Sequence, residues 1–136
     1  MDVLHFNEIA ESIKKRILHN CGLNLSQTRL LLYFGQNGNQ ELTMGKLACN
    51  LNISLSTLSR QLQQGRTKTL IQVLRSETDS SKTVKLNEVG IQKYHELIQL
   101  LDQIHNELFS SLKEQESKNF QANLQNIVNH LGVSSF

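Results

Sequence analysis

Residues 42–62 read Leu42-Thr43-Met44-Gly45-Lys46-Leu47-Ala48-Cys49-Asn50-Leu51-Asn52-Ile53-Ser54-Leu55-Ser56-Thr57-Leu58-Ser59-Arg60-Gln61-Leu62, a pattern that predicts two short helices about a tight turn. Thr43 is placed to cap a helix running to about Asn50, and Ser54 another running to about Gln64, because short hydroxyl side chains accept from the unpaired N–H groups of a first helical turn. Leu47, Ala48 and Leu51 share one face of the first helix, and Leu55, Leu58 and Leu62 one face of the second. Small Ala48 lets the helices approach closely. Asn52 occupies the turn, where a residue tolerating left-handed backbone is needed.

Turning Leu55, Leu58 and Leu62 inward leaves Ser56, Thr57, Arg60, Gln61 and Gln64 outward at about 100° per residue. Those are side-chain types that read base edges: arginine toward guanine, glutamine toward adenine, serine and threonine toward bases or phosphates. Only one charge stands on this face, whereas a merely solvated helix usually carries Glu and Lys. An ordinary helical hairpin with a polar outer face is the competing reading. Charge distribution favours a polyanion. The net charge is only +2. Between Thr43 and Lys85, however, Lys46, Arg60, Arg66, Lys68, Arg75, Lys82 and Lys85 face only Glu77 and Asp79, a local excess of five. Such an excess is the footprint of a phosphate-binding face, with a solvated basic surface as the alternative. Thr43, Ser54, Arg75 and Lys82 are the expected phosphate anchors.

Working outward, Phe6, Ile9, Ala10, Ile13 and Ile17 recur at three- and four-residue steps and predict a helix over about 2–19, ended by Cys21-Gly22. Ser26 is the expected cap of a helix through Phe34, and the stretch from Gly35 to Asn39 breaks the chain. Ile71–Arg75 and Thr83–Leu86 read as strands joined by the polar, turn-prone residues 76–82, a hairpin. Asn87-Glu88 opens a long helix over about 88–112, with Tyr94, Leu97, Ile98, Leu101, Ile104, Leu108 and Leu112 along one side. Ser117 is the expected cap of a last helix over about 118–131, carrying Phe120, Leu124, Ile127, Val128 and Leu131. The fold class is therefore mainly α with a small β-hairpin. A winged helix-turn-helix core over about 24–86 is flanked by dimerisation helices, all within one domain. The long helix would extend about 37 Å, more than one small domain covers. A second copy is the simplest partner for its apolar stripe, giving a homodimer with two reading heads, although a single bundle folded on itself would also bury it.

With 136 residues, 38% apolar and 19% charged, the chain has the length and balance of one globular domain. No run of about 18 apolar residues is present, and the N-terminus lacks a signal-peptide layout, so no membrane association and a cytoplasmic location are expected. Cys21 and Cys49 form no CxxC pair or disulfide framework, and the absence of proline suits long helices. His5, His19, His95, His105 and His130 make no HxxxH pair, so neither a metal site nor a cofactor is expected. No nucleophile elbow, glycine-rich phosphate loop or HExxH occurs; no catalytic residue, and no enzyme, is expected.

From about Leu23 to Leu97 the sequence resembles the MarR family of winged-helix regulators. The resemblance rests on LNLSQTRLLLYF, LTMGKLACNLNISLSTLSRQL, LIQVLRSETDSSKTVKL and NEVGIQKYHEL in that order, with Gly90 at the family's habitual glycine position. It implies a homodimeric transcription regulator, a repressor acting on double-stranded DNA. Recognition helices would enter successive major grooves of a pseudo-palindromic site and wings the flanking minor grooves. It also implies release by a small-molecule effector, for which Arg16, His19, Cys21, Arg29, Tyr33 and His95 are the candidate residues. Two departures stand out. Gly65 and Thr69 replace the family's usual apolar residue and glycine–apolar pair between recognition helix and first strand, so the helix is expected to end at Gly65. The wing reads Asp79-Ser80-Ser81 where the family often has an acid-x-arginine signature, leaving Arg75 and Lys82 as the nearest cations. That loss motivates a second reading, a winged-helix module for protein–protein association; a thiol- or metal-responsive sensor is a third.

Overall fold

The structure, a computed structural model, describes residues 2–77 and 81–133. Asp79 and Ser80 of the expected wing motif lie outside the described residues. Helices α1 (Val3–Cys21) and α2 (Leu25–Gln36) precede a short strand β1 (Leu42–Thr43). Helices α3 (Met44–Asn50), α4 (Leu55–Gln63) and α5 (Gly65–Lys68) follow. Strands β2 (Ile71–Arg75) and β3 (Lys82–Leu86) lead to α6 (Glu88–Phe109) and α7 (Glu114–Leu131).

Local chemistry sets most of these boundaries. Gly22 ends α1 in left-handed backbone (φ 69°), its N–H donating to the Leu18 carbonyl. Asn87 caps α6, its Oδ1 accepting from the Gly90 N–H at 2.8 Å. Two expected caps are displaced. Asn24, not Ser26, caps α2: its Oδ1 accepts from the Gln27 N–H while Gln27 Oε1 accepts from the Asn24 N–H, both at 2.9 Å. This reciprocal pair satisfies two first-turn donors at once and so outcompetes a lone serine two residues on. Likewise α7 starts at Glu114, because Glu116 Oε1 accepts from the Lys113 N–H at 2.9 Å; Ser117 lies within the helix. The expected break at Gly35 falls later, since α2 continues to Gln36. Asn39, at φ 53°, then fastens the connection by a two-way amide pair with the backbone of Leu86 (2.8 and 3.0 Å).

The sheet has a third strand that the sequence did not announce. Its order is β1-β3-β2, antiparallel throughout, with Leu42 opposite Val84 and Ile71 opposite Leu86. A two-residue strand has no periodicity to detect, and β1 exists only through pairing with a segment about forty residues away. The core gathers Leu23, Leu31 and Phe34 with Leu47, Leu58, Val84, Leu86 and Leu97, each at most 1% exposed. At about 1.5–3 kcal/mol per fully buried side chain, this cluster fixes α3 and α4 against the sheet and α2. Glycine at 90 is required by close packing, because a Cβ there would stand 2.2 Å from the Leu70 carbonyl oxygen.

Outside that core the helices leave apolar surface uncovered. On α1, Val3, Leu4, Phe6 and Ile9 are exposed; on α6, Ile98 and Leu108; on α7, Phe120, Ile127 and Leu131. Helix α7 buries no residue of its own, touching the rest through such contacts as Phe120 edge-on to Phe109 at 5.9 Å. Among the described residues no helix is long and apolar enough to cross a membrane.

Candidate nucleic-acid interface

The caps and the turn of the helix-turn-helix form as the residue pattern of 42–62 predicts. Thr43 Oγ1 accepts from the Lys46 N–H at 3.3 Å and caps α3. Asn52 takes the left-handed turn at φ 57° and Ile53 N–H donates to the Ala48 carbonyl at 3.0 Å. Ser54 Oγ accepts from the Thr57 N–H at 3.1 Å, and its hydroxyl donates to Thr57 Oγ1 at 2.8 Å. Ser56 Oγ lies 3.1 Å from Ser54 Oγ. A hydroxyl cluster thus surrounds the amino end of α4, the end where a helix dipole favours an anion.

Leu58 and Leu62 are buried and lock α4 in rotation. Leu55 does not join them; it is 54% exposed, a correction to the expected inward stripe. It is the first residue of α4. On the other side Ser56, Arg60 and Gln64 are exposed, and Thr57 and Gln61 half-buried. Arg60 Nη2 approaches Thr57 Oγ1 at 3.5 Å, and the guanidinium makes no other hydrogen bond among the described residues. Helix α4 ends one residue early, at Gln63, with extended Gln64 as its C-cap. Gly65 is not that cap: it opens the single turn α5, another correction to the expectation, and no positive φ occurs there.

Arg75 and Lys82 are directly opposite on β2 and β3, and both are exposed. Two cations facing each other across a strand pair cost stability unless an anion lies between or beside them. Behind them, Met44, Ser59, Leu62, Gln63, Lys68, Ile71, Val73 and Lys82 line a cleft of about 400 Å³ between α4, α5 and the hairpin. Ser59, Gln63 and Lys68 were not singled out from the sequence. The basic excess contains Lys68, but which cations share a groove is a tertiary property. Arg66, also part of that excess, turns away and donates from Nη1 to the Gly22 carbonyl at 2.6 Å.

The residues considered for an effector are spread through the fold. Arg16 on α1 pairs with Glu107 on α6. Arg29 Nη2 donates to the Leu51 carbonyl at 3.0 Å, and Tyr33 Oη accepts from Asn50 Nδ2 at 2.6 Å, so both hold the end of α3. Arg29 lines one cavity, with Leu25, Ser26, Leu51, Ile53 and Gln61, and Cys21 another. Cys21 is buried, and that burial pushes its thiol above the ordinary value, against the pull of Lys93. His19 and His95 are exposed, His95 lying 5.6 Å from the Tyr94 ring. Among the described residues no group of three His, Cys, Asp or Glu is placed to hold a metal ion.

Helix-turn-helix, three-stranded wing and long flanking helices define a winged helix-turn-helix protein, and this arrangement is the fold of MarR-family regulators. Solved structures place it beside particular proteins. MepR of Staphylococcus aureus, solved as a complex with DNA, is 24% identical over 96% of this chain and 98% of its own, with a TM-score of 0.73. The heme sensor protein PefR from Streptococcus agalactiae, in complex with heme, is 16% identical over 95% and 90%, with a TM-score of 0.71. A MarR-family transcriptional regulator from Silicibacter pomeroyi is 22% identical over 96% and 90%, with a TM-score of 0.63. No family model matches the sequence, and neither does any curated protein.

Proposed function

We propose that the protein is a sequence-specific DNA-binding transcription regulator that acts as a homodimer, a repressor of the gene whose operator it occupies. The observation that carries this reading is the outward face of α4. Ser56, Arg60 and Gln64 are exposed beside half-buried Thr57 and Gln61, on a helix locked in rotation by Leu58 and Leu62. In a major groove, Arg60 would donate to guanine, Gln61 and Gln64 would pair with adenine, and Ser56 and Thr57 would reach bases or phosphates. Thr43, Ser54, Arg75 and Lys82 would hold the backbone on either side. The MepR complex with DNA supports the same use of this fold.

A partner copy would cover the apolar faces of α1, α6 and α7 and set two recognition helices about one turn of DNA apart. We also propose a small-molecule effector acting through Arg16, His19, Cys21, Arg29, Tyr33 and His95. Arg16 pairs with Glu107 across α1 and α6, and Arg29 with the Leu51 carbonyl across α2 and the end of α3.

Selection of tight-binding duplexes from a random library, followed by affinity measurement on the winner, tests the function. Arg60→Ala should cost about 1–3 kcal/mol against that winner and relax selection at one base position per half-site. Equal binding by parent and variant removes Arg60 from base reading. A parent that retains no duplex at low salt removes the function.

A further inference from the structure

The end of α1 and the end of the recognition helix are tied by a compact set of polar contacts. Arg66 Nη1 donates to the Gly22 carbonyl at 2.6 Å. Gln27 Nε2 donates to Thr67 Oγ1 at 3.1 Å, both residues being buried. Asn24 Nδ2 approaches Gln64 Oε1 at 3.4 Å. Residues 22–27 are thus stitched to residues 64–67. The arginine contact is the one that reaches α1 itself. It is charge-assisted, and it sits at the negative end of a 19-residue helix, where a cation is stabilised twice over. Gly22 is shaped for it: its φ is 69°, and a Cβ there would stand 2.5 Å from Arg66 Nη1.

We propose that Arg66 is a positioning residue for DNA recognition. By pinning the α4–α5 corner to the carboxyl end of α1, it fixes how far apart, and at what relative angle, two recognition helices stand. It thereby sets the half-site spacing the dimer accepts. This rests on the DNA-binding homodimer proposed above. The physical need is plain. Adding one base pair between half-sites moves the second by about 3.4 Å and turns it by about 35°, so a reading head free to swing by that amount loses spacing discrimination. Among the seven cations between Thr43 and Lys85, Arg66 therefore serves the protein's internal geometry instead of a phosphate.

The test compares the parent, Arg66→Ala and Arg66→Lys on duplexes that carry the selected half-sites with the native spacer and with one base pair more or fewer. Circular dichroism and sedimentation establish that each variant keeps its helices and its oligomeric state. Arg66→Ala is expected to bind the native spacer about ten-fold more weakly, the loss of one charge-assisted hydrogen bond. Its preference among the three spacers should flatten, and the slope of log affinity against log salt should stay that of the parent. Arg66→Lys, which keeps a charged donor, should recover part of the preference. An equal loss on all three spacers, with a salt slope smaller by about 0.9 per lost phosphate contact, would make Arg66 a phosphate ligand and overturn the proposal. So would an unchanged spacer profile, which leaves the DNA-binding reading standing. A parent that binds none of the duplexes overturns both. Should Arg66→Ala fail to fold, the spacer profile of Arg66→Lys alone decides: a profile identical to the parent's refutes the pin, and partial flattening upholds it.

Discussion

At the scale of single residues, Cys21 and Gly90 make opposite demands on their surroundings. Cys21 ends α1 in a buried position, and desolvation pushes its thiol above the ordinary value because the thiolate loses more by leaving water than Lys93 returns. A raised folded value means the unfolded chain ionises first. The Cys21 contribution to stability is therefore intact below the ordinary thiol pKa and is lost as pH rises through the folded one. Urea midpoints measured from neutral to alkaline pH should fall more steeply for the parent than for Cys21→Ala. At neutral pH a thiol reagent should label exposed Cys49 well before Cys21. Simultaneous labelling would show that Cys21 is accessible and would favour the thiol-sensor reading. Gly90 tolerates no side chain, since Leu70 carbonyl and Leu86 Cβ crowd its α-carbon. Gly90→Ala should cost about 1–3 kcal/mol in a denaturation experiment. A stability equal to the parent's would mean that α6 can shift off the sheet freely.

At the scale of elements, the described part of the wing sets two like charges face to face. Arg75 and Lys82 oppose each other at the turn end of β2 and β3. Lys82→Glu turns a like-charged cross-strand pair into an attractive one, worth about 0.2–1 kcal/mol. The variant should thus melt slightly higher than the parent while binding DNA more weakly and with a smaller salt slope. Loss of both stability and binding would mean that the two cations are held by intramolecular partners instead. Elements also show what was legible in the sequence. Caps at Thr43, Ser54 and Asn87 were readable because each depends on a side chain and an N–H three residues later. Ser26 and Ser117 misled for the same reason: a better-matched local pair, Asn24 with Gln27 and Lys113 with Glu116, stood just upstream. The exposure of Ser56, Arg60 and Gln64 was readable from Leu58 and Leu62, whereas half-buried Thr57 and Gln61 and exposed Leu55 were not, since periodicity names a face but not what packs along it. Nothing local announces β1, the cleft around Lys68 or the turn of Arg66 toward Gly22, for each depends on chain segments about forty residues apart.

For the whole molecule, the decisive quantity is the apolar surface that one chain leaves in water. Phe6 and Ile9 on α1 and Phe120, Ile127 and Leu131 on α7 are each more than two-fifths exposed, and α7 buries nothing. Each large side chain covered by a partner would return about 1.5–3 kcal/mol, so a handful on each copy suffices for a stable pair. Meanwhile the core around Phe34 and Leu58 is closed without them. Assembly and folding of the reading head are therefore separable, which makes the dimer testable without unfolding the protein. The parent should sediment at twice the 15.5 kDa of one chain. Phe6→Glu combined with Ile127→Glu should sediment at that single mass, keep most of its helical circular dichroism, and lose nearly all affinity for a two-half-site duplex. A lone half-site should bind the variant about as weakly as it binds the parent, because joining two weak contacts in one rigid body is what multiplies their affinity. A variant that stays at double mass places the interface elsewhere on the chain, and a parent that sediments as one chain leaves these faces, and the paired reading heads they support, without a cause.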